Sequence, residues 1–366
     1  MPPAPPVLSP SLSTKLATLA TQPAHSDTRR TLEEILAELA NLPAHCVVRA
    51  SREIAIGARL GWWQPERRPI QIVPKHGAPP LELGLRRYFS KMERVPSDGK
   101  LLAADANFAW LFLFHPSGFL REAALRRITS APTSPFFLAA LASRLNDWVP
   151  AVRHAARRCL RRLLPHIEAN VAANTASYLL GRRTTWARWT DEQMVLDELF
   201  ERRDILAALA KRLRDETTGP LSAHLRHALR YPNIDAHLIE LARRARQPPV
   251  RALAYRSLIS GRAAWIVGFE WMWIDKVHFS RRRIPRFETR AITRSEPAVS
   301  LLCEAASDRA AVVRKVAADA LIEGARLPNR ENLIAQLAND KSAVVRSRAD
   351  FLLRHSSPAD ALTSKS

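Results

Sequence analysis

The stretch DRAAVVRKVAADAL at Asp308–Leu321 returns 32 residues later as DKSAVVRSRADFLL at Asp340–Leu353. An earlier copy, DWVPAVRHAARRCL, occupies Asp147–Leu160. All three copies share Asp, four residues, Val-Arg, two residues, Ala, three residues and Leu. An internal repeat of this length is typical of helical solenoids, in which each repeat covers the apolar face of its neighbour. The repeat therefore predicts an all-α fold, an α-solenoid of stacked antiparallel helix pairs, with irregular insertions where the repeat is interrupted.

The second helix of the Asp147 copy shows why such units must stack. Its apolar residues follow the i, i+3, i+4, i+7, i+8 spacing of one helix face: Val152, Ala155, Ala156, Cys159, Leu160 and Leu163. A lone helix pair cannot cover such a stripe, whereas stacked neighbours can. Further copies with substitutions begin at His115 (with Leu120-Arg121), at Leu225-Arg226 and at Val250-Arg251.

The pattern D-x4-V-R-x2-A-x3-L resembles the HEAT and HEAT-like repeat family, of the bacterial, PBS-lyase-like type. The resemblance covers residues 101–165 and 220–355 well, and 30–60 poorly. It implies that the Asp and Arg of neighbouring repeats form a ladder of ion pairs. The residues that it makes structural are Asp147, Arg153, Asp308, Arg314, Asp340 and Arg346. These residue types suit that role, because Asp caps helices and Arg can bond a carboxylate bidentately.

Amino-acid composition and the recurrence of the repeat divide the chain into three parts. Residues 1–28 are rich in Pro, Ser, Thr and Ala and predict a disordered leader. Residues 29–355 are predicted to form the HEAT-like α-solenoid, with insertions at about 61–100 and at 262–294. The first insertion contains GWWQPERRPIQIVPKHGAPP, whose Pro and Gly stop helices. Residues 356–366 are predicted to be a flexible tail.

The net charge of +21 favours an anionic partner, which could be nucleic acid, an acidic protein or an anionic membrane surface. Arg far outnumbers Lys, so a compositional bias of the coding sequence is the competing explanation. The three cysteines are widely spaced and odd in number, which argues for a reducing compartment and against a disulfide framework. The N-terminus lacks the pattern of a signal peptide. We therefore expect a cytoplasmic protein without membrane insertion.

A row of arginines on one helix is the first candidate site. Residues 148–167 contain five Arg and no acidic residue: Arg153, Arg157, Arg158, Arg161 and Arg162. Such a row could neutralise phosphates, and every contact would make binding more sensitive to salt. An ordinary solvated helix face is the alternative.

The second candidate lies at residues 262–294, which hold eight basic and three acidic residues among six large aromatic ones. Aromatic rings interleaved with Arg suit base stacking and phosphate contacts. They equally suit packing of an insertion onto the solenoid, which we expect for most of the Trp. The exposed candidates are then Arg281, Arg282 and Arg283.

The sequence offers no catalytic, cofactor or metal motif. The His residues lack metal-ligand spacing, and no phosphate-binding Gly loop or nucleophile elbow occurs. The leading hypothesis is a non-enzymatic interaction scaffold for an acidic protein or nucleic acid. The alternative is a DNA-repair enzyme similar to the HEAT-like alkylpurine DNA glycosylases, with Trp271, Asp275 and Arg314 as its trio.

Overall fold

Helices dominate the computed structural model, which describes residues 5–21, 27–61, 98–325 and 328–355. This confirms the prediction of a mostly helical chain. The chain forms two units, Met1–Tyr178 with Ala187–Val195 and Leu179–Trp186 with Leu196–Ser366. The predicted tail at 356–366 and most of the predicted insertion at 61–100 lie outside the described residues. None of the helices in the described ranges combines the length and the apolar character needed to cross a membrane.

Eighteen α-helices and two strands occur in the described part of the chain. The first nine helices are α1 Pro10–Thr21, α2 Thr28–Ala40, α3 Val47–Gly57, α4 Asp98–Ala104, α5 Phe108–Phe112, α6 Gly118–Arg127, α7 Pro135–Ser143, α8 Pro150–Leu163 and α9 Ala169–Arg182. Then follow α10 Met194–Phe200, α11 Arg203–Asp215, α12 Leu221–Ala228, α13 Leu238–Arg244, α14 Pro248–Ser260, β1 Arg262–Asp275, β2 Ser280–Ala291, α15 Ala298–Ala306, α16 Ala311–Ile322, α17 Arg330–Ala338 and α18 Ala343–His355.

Within the leader predicted to be disordered at residues 1–28, the structure instead shows helix α1 at Pro10–Thr21. Helix α1 buries Leu12, Leu16 and Leu19 against α2 and α3. Ser9 precedes it as an N-cap, because its Oγ accepts the N–H of Leu12 at 3.0 Å. Pro10 then stands at the first helical position, where Pro is well tolerated. A periodic row of leucines outweighs the Pro- and Ser-rich composition of the segment.

Helix α7 lies at the centre of the first unit's core. Residues 136–142 are all buried, and α7 contacts α2, α3 and α8. Its start is fixed by Ser134, whose Oγ accepts the N–H of Phe137 at 3.3 Å. A helix that is apolar on every side must be covered on every side, so α7 organises the helices around it.

The second unit contains three consecutive helix pairs that carry the repeat. Helix α13 packs on α14, α15 on α16, and α17 on α18. The second helices of neighbouring pairs also touch, because α14 contacts α16 and α16 contacts α18. Small residues at these contacts, such as Ala254, Ala317 and Ala349, are fully buried. They allow adjacent helices to approach closely.

The segment predicted as an irregular insertion at 262–294 is a regular antiparallel hairpin. Strands β1 and β2 pair from Arg262 with Ala291 to Asp275 with Ser280. The pairing has bulges between Ile266 and Gly268 and close to the turn. The prediction failed because Pro and Arg interrupt the apolar alternation that normally marks a strand.

Candidate functional site

The Arg residues of the repeat pair with the Asp of the following repeat. Arg251 donates to both carboxylate oxygens of Asp308, at 2.9 and 2.8 Å. Arg121 binds Asp147 in the same bidentate way, at 2.9 and 2.7 Å. A third such pair joins Arg314 to Asp340. These contacts are the ion-pair ladder that the resemblance implied, and they give the paired side chains structural roles.

Each ladder Arg is also held by carbonyl groups of its own repeat. Arg251 Nη1 donates to the carbonyl of Ala245 at 2.9 Å, and Arg314 Nη1 donates to that of Asp308 at 2.9 Å. The Asp in turn accepts a backbone N–H two residues further on, as Asp308 does from Ala310 at 2.7 Å. The guanidinium and the carboxylate are therefore both fully engaged, as buried charges need to be.

This environment lowers the pKa values of the ladder carboxylates. Burial alone would raise the pKa of Asp308, but hydrogen bonds from Arg251 and from the N–H of Ala310 outweigh it and leave the pKa below its usual value. At Asp340 the hydrogen bonds from Arg314 are the largest cause and lower the pKa directly. Both carboxylates therefore remain ionised at neutral pH.

Two repeats depart from the Asp–Arg pattern. His115 stands in the Asp position: its Nδ1 accepts the N–H of Ser117 at 2.9 Å, and its Nε2 lies 2.9 Å from Asp98. Arg153 faces the buried Glu192, with 3.5 Å between Nε and Oε1. Sequence spacing could not reveal either partner, because neither occupies the expected position of the motif.

The predicted Arg row on helix α8 does not form one uniform exposed face. Arg153 is half-buried and paired as above, and Arg162 donates to the carbonyl of Ile128 at the end of α6. Arg158 and Arg161 are exposed, and Arg157 is half-buried. Arg153 and Arg162, at the two ends of the row, therefore make structural contacts, although Arg162 is also exposed to solvent together with Arg158 and Arg161.

The base of the hairpin is firmly attached to the helices of its unit. Strand β1 contacts α12 and α14, and Trp265 is buried at 8% exposure. Arg290 donates to both carboxylate oxygens of Asp235, at 2.7 and 2.6 Å, and to two backbone carbonyls. Arg294 donates to the carbonyls of Leu258 and Ile259 near the end of α14. These contacts fix the direction in which the strands leave the unit.

The outer part of the hairpin is exposed on both faces. Residues directly opposite in an antiparallel pair lie on one face, and alternate residues share it. By this register one face, called here the aromatic face, carries Phe269, Trp271, Trp273, Arg281 and Arg283. The opposite face carries Glu270, Met272, Arg282 and Arg286. All nine side chains are exposed.

The expectation that most of the Trp would pack on the helices is therefore wrong. Trp271 is 63% exposed and Trp273 is 43% exposed, whereas Trp265 is buried. The three residues have the same parity in the sequence and would share a face on an unbroken strand. The bulge at Val267 adds one residue, which reverses the faces beyond it. Trp265 therefore packs inward on the face opposite to that of the other two.

The predicted arginines 281–283 are exposed and lie beside the rings. The guanidinium carbon of Arg281 lies 4.8 Å from the ring centroid of Trp273 and 5.9 Å from that of Trp271. Arg283 lies 4.0 Å from the ring centroid of Phe269. Among the described residues, no carboxylate lies within ion-pair distance of Arg281, Arg282 or Arg283. No carboxylate in the described part of the chain therefore neutralises their charges.

The three residues considered for a glycosylase-like site have separate structural contacts. Asp275 accepts the N–H groups of Val277 and His278 in the hairpin turn. Arg314 is bonded to Asp340 in the ladder, and Trp271 lies on the aromatic face. Within the described ranges, no group of three or more His, Cys, Asp or Glu side chains is arranged to hold a metal ion.

The chain was compared with protein families, curated proteins and solved structures. No protein-family model, curated protein or solved structure matches the chain. The resemblance to HEAT-like repeats therefore stays a prediction from the motif. The charge and exposure of the hairpin are the observations that bear on function.

Proposed function

We propose that this chain is a non-enzymatic interaction scaffold, built of HEAT-like helix pairs stacked as an α-solenoid, which binds nucleic acid through its hairpin. The ladder supports the HEAT-like part of the proposal. Three bidentate Arg–Asp pairs join one repeat to the next with the same atoms in each case. Repeats joined in this way give rigid surfaces suited to presenting a binding element.

The observation that carries the binding proposal is the unneutralised charge of the outer hairpin. Arg281, Arg282 and Arg283 are exposed and lack carboxylate partners among the described residues. One of the two nearby acids, Asp275, is bonded to His278 at 2.7 Å. A basic, exposed ribbon attracts a polyanion, and each phosphate it contacts releases counterions. Nucleic acid is favoured over an acidic protein because exposed aromatic rings accompany the charge.

The test compares charge reversal on the hairpin with charge reversal elsewhere in the same unit. The hairpin variant carries Arg281→Glu, Arg282→Glu and Arg283→Glu. The matched control carries Lys211→Glu, Arg244→Glu and Arg309→Glu; these exposed residues lie on α11, on α13 and in the loop before α16. Both variants change the net charge equally. Binding to heparin and to a fluorescent 20-nucleotide DNA is measured between about 50 and 200 mM salt.

We expect the hairpin variant to lose heparin retention and the control to keep most of it. The slope of log affinity against log salt should fall by about 2–3, because each phosphate contact contributes about 0.7–0.9. Equal binding by the two triple variants would refute the hairpin as the binding surface. Stronger competition by polyglutamate than by DNA would identify an acidic protein as the better partner.

A further inference from the structure

We infer that the aromatic face of the hairpin stacks the bases of an unpaired nucleic-acid strand. This inference rests on the nucleic-acid binding proposed above and specifies its form. Phe269, Trp271 and Trp273 lie in one row on β1, and Arg281 and Arg283 lie opposite them on β2. The face thus alternates between flat apolar surfaces and positive charges, the two kinds of group that single strands require.

The rings are available for stacking because a large part of each is exposed to solvent. Trp271 is 63% exposed, and Phe269 and Trp273 are each 43% exposed. The guanidinium of Arg281 covers part of the two indoles. A guanidinium plane is itself a surface on which bases stack. Arg281 can therefore either extend the stacking surface or turn towards a phosphate.

The spacing of the rings matches a strand whose bases are spread apart. Side chains two residues apart on one strand lie about 6.6–6.8 Å apart. This is about twice the 3.4 Å that one base occupies in a stacked strand. A single strand can open to that interval and place one base on each ring. A duplex keeps its base faces covered by neighbouring pairs, so it leaves Trp271 and Trp273 without a stacking partner.

The two faces of the hairpin differ in charge and in aromatic content, and both differences favour the aromatic face as the surface that binds the strand. The opposite face carries Glu270, whose carboxylate repels phosphate, and the flexible, non-aromatic Met272. The aromatic face holds no carboxylate between residues 269 and 285 by the strand register. Arg281 and Arg282 are sequence neighbours on different faces. The same substitution can therefore be made on each face and the effects on binding compared.

The experiment measures affinity for a 15-nucleotide strand and for the duplex of the same sequence. The full-length protein is compared with Trp271→Ala and Trp273→Ala on the aromatic face and with Met272→Ala on the other. We expect the parent to bind the single strand more tightly than the duplex, with quenching of Trp fluorescence. Each Trp substitution should weaken single-strand binding about 5-fold or more and leave heparin retention unchanged. Met272→Ala should have little effect.

Two further comparisons separate base stacking from a merely structural role of the rings. Arg281→Ala should weaken single-strand binding more than Arg282→Ala. Trp271→Phe and Trp273→Phe should restore most of the affinity lost in the Ala variants, because Phe retains a π-face. If the Trp→Ala variants lose single-strand and duplex binding equally, the rings only support the hairpin and the inference fails.

The outcomes also separate this inference from the proposed function. If only this inference is wrong, the parent protein will be strongly retained on heparin but will bind the single strand and the duplex with equal affinity. Failure of the proposed function would appear as unchanged retention in the triple Arg→Glu variant. Stronger binding to vesicles containing anionic phosphatidylglycerol than to the single strand, with a blue shift of Trp fluorescence, would overturn both in favour of a lipid surface.

Discussion

Removing the carboxylate of Asp308 tests whether the ladder holds the repeats together. The partner, Arg251, is only 2% exposed and cannot lose its charge. In Asp308→Ala it keeps the hydrogen bonds to the carbonyls of Ala245 and Arg246, but its bidentate partner is gone. Breaking a buried ion pair by removing one partner typically costs about 3–5 kcal/mol. Loss of a helix cap alone would cost about 1 kcal/mol.

The assay is urea unfolding of the full-length protein, followed by far-UV circular dichroism. Glu33→Ala is the control, because it removes an exposed i, i+4 partner of Arg29, which typically contributes only about 0.3–0.5 kcal/mol. The double variant Arg251→Met/Asp308→Ala should recover part of the lost stability, since it leaves no buried charge unpaired. If Asp308→Ala costs about 1 kcal/mol or less, Asp308 acts only as a cap, and the ladder interpretation is refuted.

Three further predictions concern packing, acid stability and thiol reactivity. Ala317→Phe should cost about 1–3 kcal/mol by overpacking a fully buried site, whereas Phe at the exposed Ala335 should be nearly neutral in the same melts. Because the pKa values of the ladder carboxylates are lowered in the folded state, their contribution is complete above about pH 4 and is lost as the pH falls through the folded pKa values. Urea midpoints should therefore decline on acidification, less steeply in Asp308→Ala. Burial raises the pKa of Cys159 to about 11, so at pH 8 a thiol reagent should modify the exposed Cys303 quickly and Cys159 only after unfolding.

The ladder was expected from the resemblance to HEAT-like repeats, whose Asp and Arg recur in this sequence at fixed spacing. In every complete copy this spacing places Asp before a helix and Arg on the first turn of that helix. The partners of His115 and Arg153 could not be predicted in the same way. Each is a neighbour brought close by the fold, Asp98 for His115 and Glu192 for Arg153.

The errors in the sequence prediction have two physical causes. For helix α1, composition was given more weight than periodicity, although Leu12, Leu16 and Leu19 follow one helix face. For the hairpin, the faces of Trp265 and Trp271 could not be assigned without the bulge at Val267. A bulge depends on the pairing of two strands and leaves little trace in the sequence of either one. The candidate arginines 281–283 were nevertheless identified correctly as exposed.

The hairpin is inserted into the repeat array without breaking the ladder. Arg121–Asp147 and Arg314–Asp340 each join residues 26 apart, whereas Arg251–Asp308 joins residues 57 apart. The 31 additional residues correspond in length to the hairpin and its flanks. An antiparallel hairpin returns the chain to its starting point, as the bond from Ile292 N–H to the Gly261 carbonyl shows. The next repeat can therefore take its ordinary place, and Arg251–Asp308 is one of the contacts that join the repeats on either side of the insertion, together with Arg243–Glu304. The base of the hairpin is held by other residues, because Arg290 binds Asp235 and Arg294 donates to carbonyls near the end of α14. The ladder and the hairpin therefore depend on different side chains, so either can be disrupted by substitution without removing a contact of the other.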